Sequence, residues 1–173
     1  MKLQIKSQTP TIEDIAQVVT DTKDFPFLTY VGPRTWRFFD GYYAACEDNV
    51  FAGVLAVNRF GGWSKLGSLA VLSKFHGKVV ATALIKKAVA TEKGKVFRAS
   101  ANPKVWKIAE NIGMVEKYNW LNLPFSVRLI YLKLSLNVVL CGEFMQFIKE
   151  LQRKQKLANV HNHRHFVYID GII

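Results

Sequence analysis

Three observations predict an α/β domain. Residues 68–114 read in order as a strand, a basic glycine-containing turn, a long helix, a strand, and a second helix that opens with Asn102-Pro103 and closes at Gly113. Just upstream, the β-like runs FAGVLAVNRF and SKLGSLAVL flank Gly61-Gly62-Trp63, the pattern of an antiparallel hairpin. Half of the 173 residues are hydrophobic. A chain of that length buries about 70% of its unfolded surface, which suits a single core.

The remaining elements follow in order. LQIKSQT, residues 3–9, alternates apolar and polar and opens the fold as a strand. Thr11 then begins an amphipathic helix, with Glu13 and Asp14 in its first turn and Ile12, Ile15, Val18 and Val19 facing inward. Residues 24–49 are aromatic-rich, holding Phe25, Phe27, Tyr30, Trp36, Phe38, Phe39, Tyr42 and Tyr43 between the turn signals Pro26 and Gly32-Pro33. Core packing is the commoner use of such rings. In the hairpin, Gly67 marks a bulge or a close backbone approach by a ligand. Leu69, Ala70, Val71 and Leu72 then lead into the turn at 74–78, and Val80, Leu84, Ile85, Ala88 and Val89 share one face of the helix that follows. After Gly113, MVEKYNWLNL and VRLIYLKLSL read as two strands joined at Pro124. Leu140, Phe144, Phe147, Ile148 and Leu151 recur at helical spacing from Val138 to Leu157, and HFVYI closes the chain as a strand. The expected division is a domain over 1–136 and a helix-and-strand extension over 137–173, packed on that domain or on a second subunit.

A helix that starts at the basic turn exposes unpaired N–H groups at the positive end of its dipole, and with Lys78 these suit a phosphate or pyrophosphate. The charge points the same way. Residues 74–107 hold nine Lys/Arg and one acid, a net +8 within a chain of +11. Such a field also attracts nucleic acid or an acidic partner. Only two cysteines occur, Cys46 and Cys141, without metal-ligand spacing, so neither a disulfide framework nor a zinc ribbon is expected. His161, His163 and His165 alternate and would share a strand face, but no Cys, Asp or Glu accompanies them and no metal site is expected. The start MKLQIKSQTP lacks the apolar core of a secretory signal, and Pro124, Arg128 and Lys133 interrupt the apolar stretch 121–141. A soluble, cytoplasmic protein without membrane association is expected.

The block SLAVLSKFHGKVVATALIKKA resembles the acetyl-CoA-binding core of the GNAT N-acetyltransferase superfamily, whose signature is Arg/Gln-x-x-Gly-x-Gly/Ala. His76 takes the Arg/Gln place, Gly77 and Lys78 the variable pair, Val79 the first glycine place and Ala81 the second. Asn102 to Met114 is similar to the family's later motif, Asn-x-x-Ala-x-x-x-Tyr-x-x-x-Gly-Phe, with Asn102 and Gly113 in place, Met114 for Phe, and Ala109 where many members carry the tyrosine that protonates the departing CoA thiolate.

The resemblance implies a mixed, mostly antiparallel sheet flanked by helices, its fourth and fifth strands, here about 66–72 and 95–101, splayed so that the pantetheine arm pairs with a free edge. Acetyl-CoA would then be held by Leu69, Ala70, Val71, His76, Gly77, Lys78, Val79, Val80, Ala81, Thr82 and Asn102. The aromatic region between the first and third strands would form part of the acceptor pocket. Acetyl transfer to an amine needs the amine neutral and a proton source for the thiolate. The strand that often supplies a glutamate base here holds Ser64, Lys65 and Ser68, so Ser68, Ser100 and Tyr118 are the hydroxyl candidates for catalysis and Glu110 is the lone carboxylate of the second motif. The implied function is an acetyl-CoA-dependent N-acetyltransferase for an unidentified acceptor, an anionic one being among the options, with a homodimer or nucleic acid as further partners. Two alternatives stay open: a catalytically degenerate fold retained as a basic nucleic-acid- or protein-binding module, and a toxin acting on charged transfer RNA.

Overall fold

The computed structural model describes residues 2–28, 31–118, 120–158 and 164–169. Strand β1 (Leu3–Lys6) and helix α1 (Ile12–Asp21) come first, and α1 starts where the sequence asks it to. Thr11 Oγ1 accepts from the Asp14 amide while the Asp14 carboxylate accepts from the Thr11 amide. Such a capping box stabilises a helix by about 1 kcal/mol. Ile15 and Val18 are buried, but Ile12 points into solvent, contrary to the inward face expected of it. As the first helical residue it precedes the part of α1 that lies on the sheet.

Next come β2 (Gly41–Glu47), β3 (Val50–Phe60), β4 (Trp63–Val71), α2 (Val80–Thr91), β5 (Lys95–Ser100), α3 (Pro103–Asn111) and β6 (Val115–Tyr118). Helices α4 (Phe125–Leu140) and α5 (Phe144–Ala158) and strand β7 (Arg164–Ile169) complete the described chain. The β3–β4 hairpin turns on Gly61 and Gly62, both at positive φ (56° and 75°), where only glycine sits without strain. All seven strands form one sheet in the order β1-β2-β3-β4-β5-β7-β6, antiparallel except where β4 and β5 run parallel. Helix α2 makes that parallel pair possible by crossing from the end of β4 to the start of β5.

Two hydrophobic cores lie on opposite faces of this sheet. Val96 and Phe166 pack with α1, α2 and α3, whereas their neighbours Phe97 and Val167 pack with Trp63, Val127 and Ile130 under α4. Successive strand residues face opposite ways, so one short stretch of strand feeds both cores.

Downstream of Gly113 the structure corrects the sequence reading. Only Val115–Tyr118 of MVEKYNWLNL is a strand, followed by a 3-10 turn at Trp120–Asn122. VRLIYLKLSL is not a strand but the body of α4. Leu, Lys, Arg and Tyr dominate it, and its apolar residues lie all around the helix, so its sequence carries no 3.6-residue stripe. The single helix expected from Val138 to Leu157 is an elbow of 114° between α4 and α5, broken at Gly142, whose φ is +69°. The division at 136/137 falls inside α4, and β7 is an interior strand between β5 and β6. Among the described residues, no single helix is long and apolar enough to cross a membrane.

Candidate functional site

The parting of β4 and β5 creates the site. Their parallel ladder runs from Trp63 opposite Lys95 to Leu66 opposite Arg98 and stops there. Beyond it, β4 stays paired with β3 as far as Val71 opposite Gly53, while β5 stays with β7 as far as Ser100 opposite Arg164. The break coincides with a bulge: Leu66 and Leu69 of β4 oppose Val57 and Leu55 of β3, one residue more on the β4 side. Gly67 lies in this bulge, as expected, and the bulge turns the strand away from β5. The edge of Leu69, Ala70 and Val71 that faces β5 is therefore not part of that ladder.

The basic turn follows directly. Gly77 has φ +77°, and a Cβ added there would meet nothing within 4 Å, so the loop surface is open. Val79 caps α2 with no side-chain hydrogen bond, unlike Thr11 at α1 or Asn102 at α3, so the first N–H groups of α2 carry no side-chain cap. Its φ of −73° is ordinary, so valine fits there without backbone strain and differs from glycine only by an exposed side chain. Val80 is buried in the core, and Ala81 and Thr82 are half-buried in the first turn.

Two expected phosphate contacts have other partners. The His76 Nε2 donates to the Val71 carbonyl at 2.7 Å, bracing the turn against β4, and Lys78 Nζ lies 2.6 Å from Glu47 Oε2. Asn102 Oδ1 accepts from the Lys104 amide at 3.0 Å, which makes it the cap of α3. At its far end α2 is held by Glu92, whose carboxylate accepts from Tyr43, Ser64 and Arg59. Burial alone would raise the Glu92 pKa, but these hydrogen bonds hold it below the ordinary value.

A cavity of about 510 Å³ opens where the strands part. Gly67, Ser68 and Leu69 line it from β4, Ala99 and Ser100 from β5, and Phe27, Leu28, Val31 and Phe39 from the aromatic segment. That segment therefore both lines the cavity and packs in the core, the latter through Trp36, Tyr42 and Tyr43. Tyr30, His161 and His163 lie outside the described residues. Of the hydroxyl candidates, Ser68 and Ser100 reach the cavity, and Ser100 Oγ accepts from the Asn102 amide at 3.1 Å. Tyr118 does not line it and packs edge-on against Trp63. Glu110 pairs with Arg164 at the surface. Ala109 is fully buried in α3.

Sequence reasoning missed what lines the remainder of the cavity. Lys65 and Arg98, only 8% and 4% exposed, both reach it, and so do Tyr131 of α4 and His165 of β7. Lys65 Nζ sits 4.7 Å from the Tyr131 ring centroid. Arg98 Nη1 donates to the carbonyls of Gly67 at 3.3 Å and Leu66 at 3.5 Å. Burial, then the Arg98 charge, pulls the Lys65 pKa down to about 8, and burial pulls Arg98 down to about 10. Burial pushes the Tyr131 hydroxyl well above its ordinary range and lowers His165. Among the described residues, neither Lys65 nor Arg98 forms an ion pair with a carboxylate. A lysine in a strand gives no sequence signal of burial, and Tyr131 was hidden by the strand reading of α4.

The comparisons agree with this geometry. Residues 12–114 match the Acetyltransferase (GNAT) family. N-acetylglutamate synthase from Neisseria gonorrhoeae, solved with coenzyme A and N-acetyl-glutamate, superimposes with a TM-score of 0.61 at 17% identity, covering 98% of this chain and 35% of that one. The chain thus spans about a third of that enzyme's length. Rv2747 from Mycobacterium tuberculosis, solved with CoA, gives 0.63 at 10% identity over 95% and 98% of the two chains. The ribosomal-protein-S18-alanine N-acetyltransferase from Escherichia coli gives 0.58 at 12% identity over 68% and 80%. A search of curated proteins finds no match. With the family matched over more than half its length and its sheet splayed between β4 and β5, this chain belongs to the GNAT acetyltransferase family.

Proposed function

We propose that the protein transfers an acetyl group from acetyl-CoA to the amine of a small acceptor bound in the cavity between β4 and β5. The observation that carries this reading is the ladder's end at Leu66 and Arg98, which leaves a strand edge beside an uncapped helix start and opens both onto one cavity. The residues fit acetyl-CoA: the edge at Leu69–Val71 suits the amide-bearing arm, and the open turn at Gly77 with the first N–H groups of α2 suits the pyrophosphate. When bound, acetyl-CoA supplies the activated acyl group. Lys78 would exchange its ion pair with Glu47 for phosphate.

The chain's own part is to hold the acceptor, exclude water and supply a proton. With Ala109 in the tyrosine place, Tyr131 is the phenol that lines the cavity and is assigned to hold that proton. Orientation inside the cavity does the remainder, and well-oriented reactants gain about 7–11 kcal/mol. The test is thiol release from acetyl-CoA across a panel of amines. Tyr131→Phe is expected to lower kcat by about 100-fold with KM little changed. A rate unaltered in Tyr131→Phe contradicts that role.

One observation favours a second reading, that of a degenerate fold kept as a basic binding module for nucleic acid or protein. Ala109 is sealed in the core, so no side chain from that position reaches the cavity. Bound acetyl-CoA without thiol release for any amine, together with salt-sensitive RNA binding, would favour it.

A further inference from the structure

Two cations are buried at the apex of the splay with no counter-charge among the described residues. Lys65 is one step before the end of the β4–β5 ladder and Arg98 is at its end. Around them, buried hydrogen-bonding groups are left over. Among the described residues the Arg98 Nε has no hydrogen-bond partner, and neither does the amide nitrogen or oxygen of Asn58, which lies directly opposite Lys65 in the β3–β4 register and is fully buried. A Cβ on Gly67 would sit 3.8 Å from Asn58 Nδ2, so these groups gather behind the bulge. A folded protein rarely leaves several such groups unsatisfied in one place, and two uncompensated positive charges are costlier still. The wall beyond them is mostly apolar, with Phe27, Leu28, Phe39, Leu134, Val138 and Phe147.

We propose that this apex is a carboxylate-binding subsite and that the acceptor is a free α-amino acid with an apolar side chain. The inference rests on the acetyl-transfer reading above. Lys65 and Arg98 hold the carboxylate, the apolar wall takes the side chain, and the bond lengths of an α-amino acid do the rest. Its amine nitrogen lies only about 2.5 Å from the carboxylate carbon. Anchoring the carboxylate at the apex thus places the amine where β4 leaves β5, beside the edge of β4 that lies outside the ladder. A terminal side-chain amine would be carried away from that point. Arg98 suits the task because its guanidinium is already oriented by the Leu66 and Gly67 carbonyls.

The subsite also predicts a proton count. Among the described residues, the charged or titratable groups facing Lys65 are Arg98 from β5, Tyr131 from α4 and His165 from β7, with no carboxylate among them. An anion beside Lys65 restores its ammonium form, so binding near pH 8 takes up as much as about half a proton.

The experiment is titration calorimetry of the full chain with N-acetyl-L-leucine and with its neutral amide, near pH 8 in buffers of different ionisation enthalpy. The carboxylate is expected to bind with proton uptake and the amide at least about tenfold more weakly. Lys65→Met and Arg98→Met should each lose about tenfold or more in carboxylate affinity while CoA affinity stays unchanged. Equal binding of acid and amide, no binding of the acid, or binding without proton uptake overturns the subsite. The wild-type arm decides the matter even where a variant fails to fold. CoA titrated separately keeps the two claims apart. CoA binding without carboxylate binding sinks the subsite and leaves acetyl transfer standing, and carboxylate binding without CoA binding does the reverse.

Discussion

At the residue scale, the unusual feature is a lysine kept where lysines are rarely found. Lys65 titrates at about 8 in the fold against 10.5 when exposed. Between those values the unfolded chain binds the proton that the folded chain has released, so stability rises as pH goes from 8 to 10.5 and is lowest below 8. The full span is on the order of 3 kcal/mol. Lys65→Met is therefore expected to raise stability at pH 7 and to flatten this rise, as measured by urea unfolding across pH. A variant less stable than wild type, with the slope retained, contradicts an uncompensated ammonium. Val79 allows the opposite kind of change. Its backbone is unstrained and its side chain exposed, so Val79→Gly should tighten CoA severalfold with no loss in helix capping, glycine being the better N-cap residue. An unchanged affinity in calorimetry would show that the turn does not meet phosphate at that residue.

At the element scale, the wall of the cavity depends on one carboxylate. Glu143, at the elbow between α4 and α5, accepts from the Arg34 amide at 3.0 Å, the Thr35 amide at 3.1 Å and Thr35 Oγ1 at 2.6 Å. A Cβ on Gly32 would fall 2.2 Å from its carboxyl carbon, so glycine is what lets the loop close on it. Glu143→Ala is expected to cost about 2–3 kcal/mol in urea unfolding and to raise the acceptor KM while CoA affinity holds. A stability change confined to a few tenths would mean the clasp is dispensable. The elements differ in how legible they were. The capping box at Thr11, the glycine hairpin and the Asn102 cap each combine a local residue choice with a local geometry, so sequence reveals them. Helix α4 buries Val127, Ile130 and Val138 but leaves Leu132, Leu136, Val139 and Leu140 exposed, and apolar residues on both sides erase the stripe on which a helix assignment depends. Lys65 and Arg98 meet only because two strands end their pairing at one point, a tertiary fact with no local signature.

At the scale of the whole molecule, the C-terminal segment is part of the fold. Strand β7 joins β5 to β6 and contributes Phe166 to one core and Val167 to the other. Cutting the chain after Asn137 should therefore abolish cooperative unfolding instead of releasing an appendage, which circular dichroism on heating would show. A truncated chain that melts cooperatively near the wild-type temperature would place the stability elsewhere. The family motifs were readable because they lie in one contiguous stretch, whereas the cavity is assembled from the aromatic segment, β4, β5, α4, α5 and β7.

The central claim is that the edge of β4 released by the splay, together with the start of α2, forms the acetyl-CoA site. Amide hydrogen exchange with and without saturating acetyl-CoA tests it directly. New protection is expected at residues 69–71 and 77–82, where an edge outside the ladder and an uncapped helix start gain partners. Exchange that is unchanged in both stretches, or protection confined to other parts of the sheet, would contradict it.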